Sequence, residues 1–263
     1  MRWFERIPKS VKVLGIILVI HIVLLPFFFI VGYPLSYGLV ALSTSIHVAQ
    51  TQPELDVHID RIAYDFIHGG YTVYYVSPTS QDTYFRIVCD GLGLIHLDYS
   101  DTATSKGHTL SRIQQEYREY LEDTLAMAEF DFEVRLAFPE ITRQNGNEWG
   151  SLNKDFGITD VEIQALELDG EYNFREFASK YGRINIQILD NQVTVERAAE
   201  ILLQLKEHLA EQEIPWYAMD FSLTSDHSEY VMLFDFLNSD VYEEGLVDRV
   251  KESNDATHKH YGE

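Results

Sequence analysis

Cysteine occurs once in 263 residues, as Cys89, so no disulfide can form within the chain. It ends the apolar, strand-like run Tyr84-Phe85-Arg86-Ile87-Val88-Cys89, where a cysteine is expected to act as a small buried hydrophobe; no neighbouring base would activate it. Basic residues are scarce as well: 20 Lys and Arg, only 8 of them Lys, stand against 42 Asp and Glu, a net charge of −22. Such a chain repels phosphate, and nucleic acid is not an expected partner. Phosphate loop, dinucleotide fingerprint and Gly-x-Ser-x-Gly elbow are all missing. None of the ten histidines is paired at a ligand spacing within an expected helix. His258 and His260 could chelate a metal weakly, but a solvated tail is the plainer reading. Asp98 and Asp101, separated by Tyr99 and Ser100 and followed by Thr102, lack the spacing that fixes a calcium loop and read as a polar turn. No catalytic residue, cofactor site or metal site is therefore assigned.

What the chain does have is one long uncharged run. From Val13 to Val31 it reads VLGIILVIHIVLLPFFFIV, 19 residues with His21 the only ionisable group. As a helix it spans about 30 Å, the thickness of a bilayer's hydrocarbon core. A helix is expected because lipid offers backbone groups no partner. Arg2, Arg6, Lys9 and Lys12 precede it with one acid, Glu5, whereas Glu54, Asp56 and Asp60 are the first charges after it. Bases close to a span stay cytoplasmic, so the amino terminus is expected inside and everything after about Leu42 outside the cell. Trp3, Phe4, Tyr33 and Tyr37 suit the two interfacial aromatic belts, and a kink at Pro26 is tolerable in a membrane helix. The rival reading is a signal peptide cleaved near Ala41-Leu42-Ser43, although the apolar region of such peptides is usually about 7–15 residues long. The first expected partner is thus the lipid bilayer.

Charge divides at this span. Residues 1–42 carry net +3, which leaves −25 for the rest. A macromolecular partner outside the cell is then expected to be a basic protein or cationic peptide, the alternative being that the acidity serves solubility alone.

Beyond the anchor the periodicity predicts an α+β fold in two small subdomains with antiparallel sheets. In residues 43–138, Leu55, Ile59, Ile62, Ala63 and Phe66 suggest a helix closed by Gly69-Gly70. Strands follow over 71–76, 83–89 and 94–99, then a helix over 109–128 with Leu110, Ile113, Tyr117, Leu121 and Leu125 on one face. Alternation over 130–138 predicts a strand with Phe130, Phe132, Val134, Leu136 and Phe138 facing inward. A connector is expected over 139–170. The second subdomain, 171–252, reads as a helix over 172–181 ended by Gly182, a strand marked by Ile184, Ile186 and Ile188, and a helix capped by Thr194. A hairpin over 217–236 and a short helix over 241–250 complete it. Residues 253–263 read as a frayed tail.

The amino-terminal anchor, the expected helix ending in Phe66-Ile67-His68-Gly69-Gly70, the Tyr-rich meander from Tyr71 to Tyr99, the helix with Glu116-Tyr117 and Leu121, and Ile184-Asn185-Ile186 leading into Thr194-Val195-Glu196-Arg197 resemble the YfjL-like proteins. Those are uncharacterised membrane-anchored proteins of Gram-positive bacteria of the Bacillus group. The resemblance implies a fold and an address, and it brings no activity or catalytic residues with it.

The expected function is a non-catalytic, membrane-tethered interaction or sensing module outside the cytoplasm. Its rival is a cell-surface enzyme whose carboxylates come together only on folding. A cleft holding two carboxylates of raised pKa would favour the enzyme.

Overall fold

The computed structural model describes residues 8, 11, 13–15, 19, 32–144, 156–225 and 229–261, and in it two four-stranded sheets form, one in each of two units, Met1–Ser105 and Lys106–Glu263. The α+β expectation holds for both. Most of the expected span from Val13 to Val31 lies outside the described residues; among those described, no helix is long and apolar enough to cross a membrane.

In the first unit, helix α1 (Pro34–Thr51) begins with Pro34, whose fixed φ and missing N–H suit a first helical turn. Strands β1 (His58–Asp65), β2 (Gly70–Val76), β3 (Tyr84–Cys89) and β4 (Ile95–Asp98) follow as an antiparallel meander in sequence order. Tyr71, Val73 and Tyr75 alternate on β2 with half-buried neighbours, as Phe85, Ile87 and Cys89 do on β3 with exposed or half-buried ones. Together they pack against Val40 and Val48 of α1. Each such side chain contributes about 1.5–3 kcal/mol by leaving water. Thr44 is also buried there; its hydroxyl donates to Val40 O and accepts from Tyr75 Oη at 2.8 Å.

Residues 55–66 do not form the helix that their spacing suggests. They hold β1, in which Asp60 is an extra residue, because Ile59 pairs with Tyr75 and Arg61 with Tyr74. This bulge stretches the step between inward residues Ile59 and Ile62 to three, which imitates a helical period.

The second unit opens with α2 (Lys106–Ala126) and β5 (Glu133–Ile141), and continues through α3 (Asp160–Gln164), α4 (Phe174–Tyr181), β6 (Gly182–Leu189), α5 (Val195–Glu211), β7 (Ala218–Thr224), β8 (Tyr230–Leu237) and α6 (Leu246–Tyr261). Its sheet order is β5-β6-β7-β8. Outer pairs are antiparallel, but β6 and β7 run parallel, joined by the crossover helix α5, which corrects a purely antiparallel expectation. Residues directly opposite share a face, so three rows cross the sheet: Pro139, Ile184, Met219 and Phe236; Ala137, Ile186, Phe221 and Leu233; Val134, Ile188, Leu223 and Val231. That face joins Leu110, Ile113, Tyr117 and Leu121 of α2, Ile201, Leu202 and Leu205 of α5, and Val250 of α6 in one core.

Local chemistry sets the helix limits. Thr194 Oγ1 accepts the Arg197 N–H and caps α5, as expected. Thr159 and Glu162 form a reciprocal capping box at α3. At Gly182, between α4 and β6, any Cβ would lie 2.3 Å from Ala178 O, so only glycine fits.

Three expectations fail here. The boundary between units falls at Ser105, not within 139–170, because β5 pairs with β6 and α2 packs on β5. β5 starts at Glu133 and contains an extra residue, Arg135, which leaves Leu136 52% exposed instead of inward. The final helix runs on to Tyr261 where 253–263 is expected to fray: Asn254 Oδ1 accepts the Met232 N–H, Thr257 is buried, and His258 stacks on Tyr230.

Candidate functional site

The face of the second sheet opposite the helices carries a row of charge. Glu140 on β5 faces Arg183 on β6, and Asp220 on β7 and Asp235 on β8 complete the row. Arg183 is 2% exposed although it is an arginine. Its Nη1 donates to Asp220 Oδ2 at 3.3 Å and its Nη2 to Asp235 Oδ1, while Nε lies 3.9 Å from Glu140 Oε1. The guanidinium also sits 5.4 Å from the centre of the Phe156 ring, which stacks on Tyr217. A planar cation against an aromatic face is a favourable burial for a group otherwise costly to desolvate.

The backbone completes the arrangement. Between the pairs Met219–Phe236 and Phe221–Leu233, β8 has two residues where β7 has one. Asp235 sits in this bulge with φ +52, a left-handed conformation that Asp tolerates better than most residues. Its N–H consequently points at Asp220 Oδ1, 2.8 Å away. Burial pushes the Asp220 carboxyl up to about 6; Arg183 and the Asp235 N–H counter this, and the nearby Asp235 and Glu140 carboxylates add to it.

A second arginine organises the far end of β6. Arg197 reaches Asp190 at 2.8 Å, Asp131 at 3.1 Å and Glu200 at 3.3 Å. Burial opposes ionisation of Asp190, but the Gln192 N–H and Arg197 outweigh it and hold the carboxyl below its usual range. At the end of α4, Tyr181 donates to Glu162 of α3, and this bond lifts the phenol to about 12, with burial adding to the shift.

The residues singled out in the sequence lie elsewhere. Cys89 is fully buried, and desolvation raises its thiol to about 11, so it behaves as the small hydrophobe expected. Asp98 accepts from His47 Nε2 at 2.7 Å and from the Ser100 N–H, and Asp101 is exposed in the following turn. His258 and His260 lie on α6 two positions apart, where side chains do not face each other. Among the described residues no group of three or more His, Cys, Asp or Glu could hold a metal ion.

Neither Arg183 nor its carboxylates stood out in the sequence. The available signal was an acid interrupting each apolar strand, Met219-Asp220-Phe221 and Phe234-Asp235-Phe236. Chemically the cluster can lock four strands in register. Acid–base work would need a free carboxylate oxygen facing a ligand, and both oxygens of Asp220 are engaged.

A family model described as YfjL-like C-terminal domain matches residues 116–251. No curated protein and no solved structure matches the chain.

Proposed function

The chain belongs to the YfjL-like family, and from that premise we propose that it is a non-catalytic interaction module, tethered to the membrane of a Gram-positive bacterium by the Val13 to Val31 segment, with its bulk outside the cell. The observation that carries the non-catalytic reading is the Arg183 cluster. Its most perturbed acid, Asp220, spends one oxygen on a guanidinium and the other on a backbone N–H, as a structural group does. The rival enzyme needs two carboxylates of raised pKa in one cleft, and Asp220 supplies one acid already committed to the sheet.

The partner is a basic protein segment. Lys106–Glu263 holds 33 acids against 14 bases, a net charge of −19. The sheet face opposite its helices presents Phe138, Asn185, Gln187, Ser222 and Met232, all half-buried, in rows that pair across β5 to β8. A segment bringing Lys and Arg would be steered by the acidic field and seated on this mixed surface.

A photo-reactive amino acid placed at Gln187, with Val161 as a control site 80% exposed on α3, tests this in native membranes. The expected result is one cross-linked partner from position 187 alone, whose association with the purified protein slows steeply as salt rises. Equal cross-linking from both positions, or a salt-independent association rate, overturns the reading.

A further inference from the structure

At one end of the first unit the chain arrives from the uncharged 13–31 stretch through Gly32, and the tips of two hairpins lie beside it. Tyr33 donates its N–H to Tyr71 Oη at 3.0 Å, and the Tyr37 and Tyr64 rings lie 5.2 Å and 4.9 Å from that of Tyr71, so the start of α1 abuts the β1–β2 tip. Ser43 Oγ donates to Gly93 O at 2.7 Å, which fixes the β3–β4 turn along the same helix.

Both tips are built inside out. Turn tips normally show polar side chains to water. Here Asp65 turns back to accept the Ile67 and His68 N–H groups, and Asp90 to accept those of Leu92 and Leu94. Beside the exposed His68, the side chains that project are apolar: Phe66 is 52% exposed, Ile67 73%, Leu92 79% and Leu94 65%, with Leu35 at 84% and Leu39 at 47% on the adjoining helix. Single exposed apolar residues are ordinary, but six gathered at one end of a small unit are not. α1 contains no Asp, Glu, Lys or Arg.

We propose that this end rests on the outer leaflet of the bilayer, with the Phe66-Ile67 and Leu92-Leu94 tips dipping into the headgroup region beside the anchor. The inference rests on the membrane reading of the 13–31 stretch. Continuity with that stretch decides for lipid over a second copy of the chain, since whatever holds Val31 in a membrane brings Gly32 and its neighbours to the surface. Tyrosines clustered at the entry point suit an interface, where one end of the ring is apolar and the other wet.

The test uses the full chain in phosphatidylcholine vesicles, with a polarity-sensitive fluorophore on single introduced thiols: Ile67→Cys, Leu92→Cys, Val19→Cys in the anchor, and Thr79→Cys in the exposed turn between β2 and β3 at the opposite end of the sheet. Native Cys89 is fully buried and stays unlabelled, which also reports that each variant is folded. The expected result is blue-shifted emission at positions 67 and 92, quenched by headgroup-nitroxide lipid several-fold more than at position 79. Emission at 67 and 92 like that at 79, with position 19 lipid-quenched, overturns this inference and leaves the anchor standing. Blue-shifted but unquenched labels at 67 and 92 identify a second copy as the occupant and also overturn it. An unquenched label at position 19 overturns inference and anchor together.

Discussion

Asp235 hands its backbone N–H to Asp220 at 2.8 Å while its own carboxylate holds Arg183, so one residue in a left-handed conformation joins β7, β8 and the buried cation of β6. Arg183→Met removes the guanidinium that Asp220 and Asp235 share and sets an apolar side chain against both carboxylates. The expected loss is about 3–5 kcal/mol, read from urea unfolding, because breaking a buried ion pair strands its partner. A loss below about 1 kcal/mol, typical of a surface pair, would show that the cluster is solvated.

Stability should also depend on pH through Asp220. Its carboxyl titrates near 6 in the folded chain and near 3.9 when unfolded. Between those values the folded state binds more protons than the unfolded one, so stability falls as pH rises from about 4 to about 6, by at most about 1.4 kcal/mol per pH unit. Asp190 and Asp98 act in the opposite sense, since their folded carboxyls are held low: their contribution is complete above the unfolded value and lost as pH falls through the folded ones. Asp220→Asn should flatten the curve between pH 4 and 6. An unchanged slope there would assign the titration to another group.

Cys89 gives an independent probe of the first unit. With no exposed surface and a thiol raised to about 11, it should resist an aromatic disulfide reagent at pH 8. Reaction should begin only at the denaturant concentration that unfolds the first sheet. Rapid labelling of the native protein would contradict the packing of β3 against α1.

The orientation proposed for the chain can be measured directly. Protease added to intact protoplasts should degrade everything after about Leu42 and spare the basic segment before Val13. Complete protection of the later region would overturn the proposed orientation.

Most elements were legible because their residues alternate or recur without interruption. Tyr71, Val73 and Tyr75 announce β2, and Ala198, Ile201, Leu202, Leu205 and Leu209 announce α5 with Thr194 as its cap. What misled were places where tertiary structure overrides local period. Asp60 in the β1 bulge turns a strand into an apparent helix, and Arg135 breaks the alternation of β5. The tail after Val250 is polar, yet Asn254, Thr257 and His258 find partners or cover on one side and keep it helical. Pairing of β5 with β6 joins residues more than 40 positions apart, so no local signal could place Ser105 as the boundary. For the same reason Arg183 looked like one more polar residue: its three acids come from three different strands.

Each edge strand of the two sheets carries one surplus residue: Asp60 in β1, His96 in β4, Arg135 in β5, and one within the Phe234-Asp235 pair of β8. A bulge twists an edge and breaks its row of free N–H and C=O groups, and a charge placed there resists a neighbouring strand. Pro139 takes a further donor from β5. Copies at high local concentration would otherwise meet edge to edge and polymerise through their sheets. With both borders of both sheets blunted, neighbouring copies stay discrete, since strand addition finds no straight edge to extend among the described residues.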